Sequence, residues 1–488
     1  MASADPKSPY IGQWWTSDAP DRIAWGTLTV GERAELELHE KIEGRSMGAN
    51  HDLGQVPIIH GLSEGMRLTL VDNVEIGYST RGRGNITQGR RLLLAGTIFV
   101  GDAHLQAPDE FTFDRVSFRL TNLDQWANRH IYRISHAPQE TLNVLDVPSL
   151  QADLPGGRAY LFKGSRYSYS PVTEVTFSSQ EFVGLDLSER RSLDDIEYSY
   201  IRPFEQMLTL ATGAQCEALD VRVGTHDGAI DMLETWPARA YEVKRRWAES
   251  SEGKPMIYQH MRFGLKSAGS VSGVEFTEIV PRWFALQEKL SAVCDLIFSL
   301  HKSEAGYLQQ QMFTIASAIE GLHRRLYPNL DKKTPQARTR NREILDAVAA
   351  GCSDHRDWLA SILSTAHRPS YASRVRQLLD RTDHRMREIV GDEDEWSRQL
   401  RKHRDGIGHV LSSSAEDDES MNEMVAIMLS ARFLAELVLL REVGFSDAEC
   451  RQAFDNRWEA INVRSHMLKS FPQWFSQHLD QPEGDLDN

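Results

Sequence analysis

Between about residues 10 and 200, apolar and polar side chains alternate in short runs, among them 25–30, 34–38, 66–70, 92–100 and 115–120, each broken by Gly, Asp or Asn clusters. A period of two gives a strand one dry and one wet face, so these runs predict an antiparallel sheet. Further strands are expected at 129–134, 159–163, 172–177 and 181–185, then a helix over about 201–211 and closing strands near 218–223 and 256–263. From Val280 the period lengthens. Trp283, Leu286, Leu290, Val293, Ile297 and Leu300 recur every three or four residues, and Leu308, Met312, Ile315, Ile319, Leu322 and Leu326 repeat the pattern. That spacing lines one face of a helix. Pro328 and Pro335 end the second helix, and helical patterning resumes over 344–350, 357–364, 373–379, 384–390, 395–403, 421–443 and 447–469. The polar run 412–420 reads as a loop and 481–488 as a frayed acidic tail.

The change of period falls at Ser267-Ala-Gly-Ser-Val-Ser-Gly273, a stretch of small residues suited to a linker. The expected class is α+β in two domains. Residues 1–270 would form a β-rich sandwich or distorted barrel, and 271–488 an all-α bundle. A chain of 488 residues is long enough for two separate cores.

Cysteine and charge narrow the setting. Cys216, Cys294, Cys352 and Cys450 lie at least 58 residues apart, which excludes a CxxC pair and points to a reducing cytoplasm. The first fifteen residues lack the pattern of a secretory leader, and the most apolar run, 425–440, is interrupted by Arg432 and Glu436, so no membrane span is expected. A net charge of −15 argues against nucleic-acid binding over the whole surface, but binding needs only a local reversal of sign. Two reversals exist. Arg324, Arg325, Lys332, Lys333, Arg338, Arg340 and Arg342 face only Asp331 and Glu343 between residues 324 and 343, and a second cluster holds Arg398, Arg401, Lys402 and Arg404. Either cluster also reads as a solvated helix end.

No HExxH, glycine-rich phosphate loop, GxSxG or EF-hand is present, so no metal or cofactor is expected. The remaining chemistry is an arginine near a histidine. An imidazole can take or give a proton at neutral pH while a guanidinium holds the charge that builds on a phosphate, which together suffice to cleave RNA without a metal. Five pairs have the right spacing: Arg33/His39, Arg45/His51, Arg129/His136, Arg398/His403 and Arg404/His409. The first three fall in strand-like or loop-like sequence, where surface charge is the simpler reading. The last two overlap in one helical segment. Arg81-Gly-Arg-Gly-Asn85, followed by Arg90 and Arg91, reads first as a turn between strands and second as an RNA or ligand contact.

A set of short motifs in order then carries a resemblance. Gly12-x-Trp14, Trp25-Gly26-x-Leu28, Ile59-His60-Gly61, Thr69-Leu70, and Phe113 through Asn122-Leu123-x-x-Trp126 together resemble the ApeA N-terminal domain, and the back half is similar to the matching HEPN domain. The resemblance implies an anti-phage abortive-infection protein whose helical domain is a metal-independent RNA endonuclease working as a homodimer or higher oligomer, with transfer RNA as substrate. It selects Arg404, Asp405 and His409 as the HEPN signature, with Asp405 where Asn is more usual. It also sets Glu320 in the place of an upstream-helix glutamate, although Glu320 reads equally as an i,i+4 ion pair with Arg324. Arg401, Lys402, Arg324 and Arg325 are the expected RNA contacts.

Arg404 and His409 would stand about 140° apart on an ideal helix, so a composite site across a twofold axis is expected. Gly406 and Gly408 are poor helix formers and are expected to distort the segment locally. The β-rich domain would restrain the toxic domain until a phage-derived trigger arrives. The alternative is a non-catalytic HEPN protein that dimerises or binds nucleotides, its β-domain recognising a phage or carbohydrate ligand.

Overall fold

The computed structural model describes residues 9–31, 33–42, 55–56, 58–83, 86–135, 141–170, 174–226, 240–245, 261–266, 273–302, 307–382, 385–408, 418–455 and 458–475. The chain divides into two compact units. The first comprises Met1–Thr212, Cys216–Gln259 and Gly264–Pro281, and the second Gly213–Gln215, His260–Phe263 and Arg282–Asn488. The expected α+β class holds, with an antiparallel sheet first and helices after it.

Fifteen strands of the first unit join in one hydrogen-bonded ladder. From one end it runs Leu150–Leu154, Gly157–Ser170, Glu174–Ser192, Thr112–Leu120, Ala218–Gly224, Ala240–Arg245, Thr97–Gly101 and Met66–Val71. It continues through Ile59–Ser63, Tyr10–Thr16, Ala19–Val30, Ala34–Ile42, Ile86–Ala95 and Asn73–Arg83 to Gln55–Val56. Alternation along these strands buries Trp14, Leu28, Leu36, Leu68, Leu70, Leu93 and Ile98 in one cluster.

The motif residues of the first strands form one packing unit. Trp14 pairs in register with Gly61, and a Cβ at Gly61 would lie 2.2 Å from the Trp14 ring. Only glycine lets the indole lie across that strand. A Cβ at Gly12 would likewise meet the Leu62 carbonyl oxygen at 2.1 Å. His60, between these glycine contacts, stacks on His104 at 4.7 Å, and its Nε2 bonds the Leu105 carbonyl at 3.0 Å.

Among its described residues this unit also holds the short helices α1 (Leu123–Ala127), α2 (Leu193–Ile196) and α3 (Arg202–Thr212), with a π turn at Glu197–Ile201, and a separate strand pair, Tyr132–Ser135 with Thr141–Val144. Phe204 of α3 meets Phe118 of the sheet edge-on at 5.9 Å, which anchors the helix that patterning placed at 201–211.

Several sequence expectations change here. The run 92–100 is two strands, because the chain turns at Gly96, whose missing Cβ leaves room for the Asp72 Cβ 2.8 Å from where it would stand. From Glu174 on, the runs 172–177 and 181–185 are one strand, Glu174–Ser192, whose residues 174–187 pair in register with Gly157–Ser170. Arg129 is not surface charge. Its guanidinium grips buried Glu181 through two bonds of 3.0 and 2.6 Å, so the strand expected from residue 129 begins only at Tyr132. Residues 261–263 lie outside any strand, and 256–260 outside the described residues. Arg90 and Arg91 are held by Glu37 and Glu75. Residues 84–85 lie outside the described residues, as do Arg45, His51 and His136.

The helices that follow are α4 (Phe276–Lys302), α5 (Leu308–Leu326), α6 (Pro335–Gly351), α7 (Arg356–Thr365), α8 (Tyr371–Leu379), α9 (Arg385–Val390), α10 (Glu393–Gly408), α11 (Asp418–Val443), α12 (Asp447–Asp455) and α13 (Trp458–Ser470). Pro335 begins a helix, at a position where its missing N–H costs nothing. Of the helix expected over 447–469, residues 447–455 and 458–469 are helical and 456–457 lie outside the described residues. Residues 418–420, read as loop, open α11, and 412–417 and 481–488 lie outside the described residues.

α11 runs through the centre of the bundle and carries Glu436, which has no exposed surface. Its carboxylate takes Arg262 at 2.6 Å and His301 at 2.7 Å. Burial pushes this carboxyl up, but Arg262 and the His301 hydrogen bond overcome that and hold it well below the ordinary carboxylate range. Arg262 also lies 5.0 Å from the centroid of the Phe454 ring.

Candidate functional site

α5, α8 and α10 present one connected set of polar side chains. Each helix buries an apolar face, with Ile315, Ile319 and Leu322 on α5, Val375 and Leu378 on α8, and Trp396 and Leu400 on α10. The polar edges of these faces therefore meet. Asp392 fixes the start of α10, its Oδ1 accepting the amides of Asp394 and Glu395, both at 3.0 Å. The Trp396 indole N–H donates to Ser430 Oγ at 2.8 Å and sets the helix rotation.

Arg404 then projects toward α5 and α8. Its Nη2 meets Glu320 at 2.6 Å and its Nη1 meets Asp405 at 3.2 Å. The guanidinium carbon stands 4.9 Å from the centroid of Tyr371, within cation–π range. Burial pushes the Tyr371 hydroxyl above its usual range, the Arg404 charge opposing this only in part. The hydroxyl donates to the Ala316 carbonyl at 3.2 Å and locks the ring in place.

Glu320 is shared. Its other oxygen takes Arg324 at 2.7 Å, so both readings of this glutamate, ion pair with Arg324 and partner of the signature arginine, are present at once. Arg324 continues to Asp331 at 3.6 Å, and Asp331 pairs with buried Arg374. Burial pushes the Asp331 carboxyl up, and Arg374 and Arg324 together pull it below its ordinary range. Arg374 Nη1 donates to His323 Nδ1 at 3.0 Å, and His323 Nε2 faces Gln377 Oε1 at 2.5 Å. Desolvation lowers the His323 pKa, and the bond from Arg374 needs the neutral ring as acceptor.

Of the expected RNA contacts, Arg401 lies 3.3 Å from Asp405 on the same helix, Arg324 belongs to the Glu320 cluster, and Lys402 and Arg325 are exposed. α10 is helical at Gly406 and reaches Gly408, so the distortion expected at Gly406 does not occur. Nothing lies within 4 Å of a Cβ built on Gly406, which marks an open helix face. His409 lies outside the described residues. The competing Arg398 pairs with Glu395 at 2.6 Å on its own helix.

Tyr371, Arg374 and Gln377 were missed by sequence reading. The signal was an arginine inside an apolar stripe, Tyr371, Arg374, Val375 and Leu378 at three- and four-residue spacing. Such a charge must find a buried partner or fold away. Among the described residues, no group of three His, Cys, Asp or Glu side chains could hold a metal ion.

Comparison with protein families places residues 9–255 in the ApeA N-terminal domain 1 and residues 313–449 in the Apea-like HEPN domain. Comparison with curated proteins and with solved structures returned no match. Glu320, Tyr371, Arg404 and Asp405 all fall inside the HEPN match. The first match covers half of the chain and the second follows it in the expected order, so the chain belongs to the family defined by ApeA N-terminal domain 1, with an Apea-like HEPN domain behind it.

Proposed function

We propose that this protein is a metal-independent RNA endonuclease of abortive-infection defence, directed at transfer RNA, acting in the cytoplasm and restrained by its N-terminal domain. HEPN domains are generally RNases. The observation that carries the reading is the fixing of Arg404 from three sides by Glu320, Asp405 and the Tyr371 ring, beside a sequence that supplies His409 five residues on. A guanidinium held in one orientation costs little reorganisation when charge builds on a phosphate.

In the proposed reaction His409 takes the proton of a ribose 2′-hydroxyl and the freed oxygen attacks the adjacent phosphorus. Arg404 stabilises the added negative charge. The 5′-oxygen leaves with a proton from a second imidazole or water, giving a 2′,3′-cyclic phosphate and a 5′-hydroxyl. Two copies related by a twofold axis would pair one Arg404 with the other's His409. No helix among the described residues is long and apolar enough to cross a membrane.

One observation favours a second reading. Arg404 already spends N–H donors on two carboxylates, so those donors are closed to a phosphate while both remain in place. This suits a resting enzyme awaiting a phage-derived trigger. It equally suits a non-catalytic HEPN module whose β-domain binds a phage or carbohydrate ligand.

The deciding experiment is incubation of the purified protein with total RNA in EDTA, with and without extract of infected cells. Fragments ending in cyclic phosphate, made by wild type and His403→Ala but reduced about 10²- to 10⁴-fold in His409→Ala, are expected. Intact RNA under both conditions would select the non-catalytic module.

A further inference from the structure

A cavity of about 570 Å³ opens in the helical unit between α9, α11 and α13 and shares no lining residue with the Arg404 site. Its volume falls within the range of small-molecule pockets, roughly 300–1,000 Å³. Phe433 and Phe454 lie at its buried end, with ring centroids 4.5 Å apart. Arg262 packs on Phe454, so this lining is fixed on the far side by the Glu436 network rather than by anything in the cavity.

The α13 wall is unusual. Ile461 is 58% exposed and Leu468 38% exposed, and with Arg464 they occupy positions i, i+3 and i+7 of one helix face. Large apolar side chains left open beside a cavity of this size indicate an apolar occupant. Charge adds a second requirement. Arg385, Arg387 and Arg464 line the cavity with Glu388, and Glu393 beside it faces Arg387, which leaves one positive charge in excess. Arg385 is engaged by Glu388 at 2.8 Å and Arg387 stands 3.4 Å from Glu393, whereas Arg464 makes no ion pair among the described residues.

We infer that this cavity binds a phosphate monoester carrying an apolar or planar body, the body against Phe433, Phe454 and Ile461 and the phosphate on Arg464 and Arg387. A phosphate monoester carries about −1.5 to −2 at neutral pH and three acceptor oxygens, enough to meet Arg464 and the N–H donors of Arg387 that Glu393 does not take, whereas a carboxylate offers two oxygens. Guanidinium groups also fit phosphate geometry through paired N–H donors. A nucleotide and a lipid-like alkyl phosphate share this chemistry.

The test is isothermal titration of the full chain with adenosine 5′-monophosphate and, separately, octyl phosphate, using adenosine and inorganic phosphate as half-probes. One of the two whole probes is expected to bind at least about tenfold more tightly than either half-probe, and Arg464→Gln and Ile461→Asp to weaken it about tenfold, the size of one charge-assisted contact. Arg404→Gln should leave the binding unchanged, which separates this cavity from the proposed RNA site. Both variants alter exposed side chains, and equal melting temperatures would verify their folding. No heat from either whole probe at millimolar concentration, binding that ignores both variants, or phosphate alone binding as tightly as the esters would each overturn the proposal.

Discussion

Arg404 of α10 and Glu320 of α5 stand 2.6 Å apart although 84 positions separate them in the chain, and Glu320 holds Arg324 with its other oxygen. Replacing Glu320 with Gln keeps the shape and removes the charge that two guanidinium groups share. The partly exposed network should lose about 1 kcal/mol, read as a small drop in the urea midpoint. RNA affinity should rise, because Arg404 and Arg324 are then freer to meet phosphate. If filter binding shows RNA held less tightly by Glu320→Gln, the carboxylate is a positioning group and not a mask.

Tyr371 separates two contributions. Tyr371→Phe keeps the ring beneath Arg404 and loses the bond to the Ala316 carbonyl, a cost of about 1 kcal/mol with cleavage retained. Tyr371→Ala removes the ring and opens a cavity, a cost of about 3–5 kcal/mol. Comparing single-turnover cleavage at a temperature where both variants remain folded isolates the effect of the ring on Arg404.

His323 gives the helical unit a pH dependence of defined sign. Its folded pKa lies below the ordinary value of 6.5, because burial disfavours the charged ring and Arg374 needs Nδ1 as an acceptor. Stability from the neutral ring is complete above about pH 6.5 and is lost as pH falls through the lower folded value. Urea midpoints measured from about pH 7.5 to about pH 5 should fall more steeply in wild type than in His323→Gln. Parallel slopes would assign the dependence to other groups.

Gly61→Ala tests the packing unit of the first strands. A methyl group there meets the Trp14 ring at 2.2 Å, inside any permitted contact, so the indole or the strand must move. Overpacking of this kind costs about 1–3 kcal/mol. A blue- or red-shifted Trp emission accompanied by a lower melting temperature is the expected result. A double variant, Trp14→Leu with Gly61→Ala, should recover part of the loss if the clash is the cause.

Much of this architecture is written locally. Period-two and period-3.6 patterns name most strands and helices because each element has one buried face, as at Met66–Val71 and Leu308–Leu326. Local patterning failed where a distant partner decides. Arg129 looks like surface charge until Glu181, 52 positions away, takes it inside. Gly406 looks like a breaker, yet α10, anchored at its start and by the indole of Trp396, stays helical there. At the candidate site Arg404, Asp405 and Glu320 were legible as a motif. Tyr371 and Arg374 were not, because their role depends on the crossing of α8 with two other helices.

The buried contact between Arg262 and Glu436 bears on how the helical half can be handled alone. Arg262 precedes the small-residue spacer that ends at Gly273, so a fragment trimmed to begin there would keep every helix of the bundle and lose the guanidinium that balances Glu436. Glu436 would keep His301 and Arg432, but removing one partner of a buried ion pair costs about 3–5 kcal/mol, enough to unfold many excised domains. Soluble helical fragments therefore require a start upstream of Arg262, or the simultaneous exchange of Glu436 for a neutral side chain.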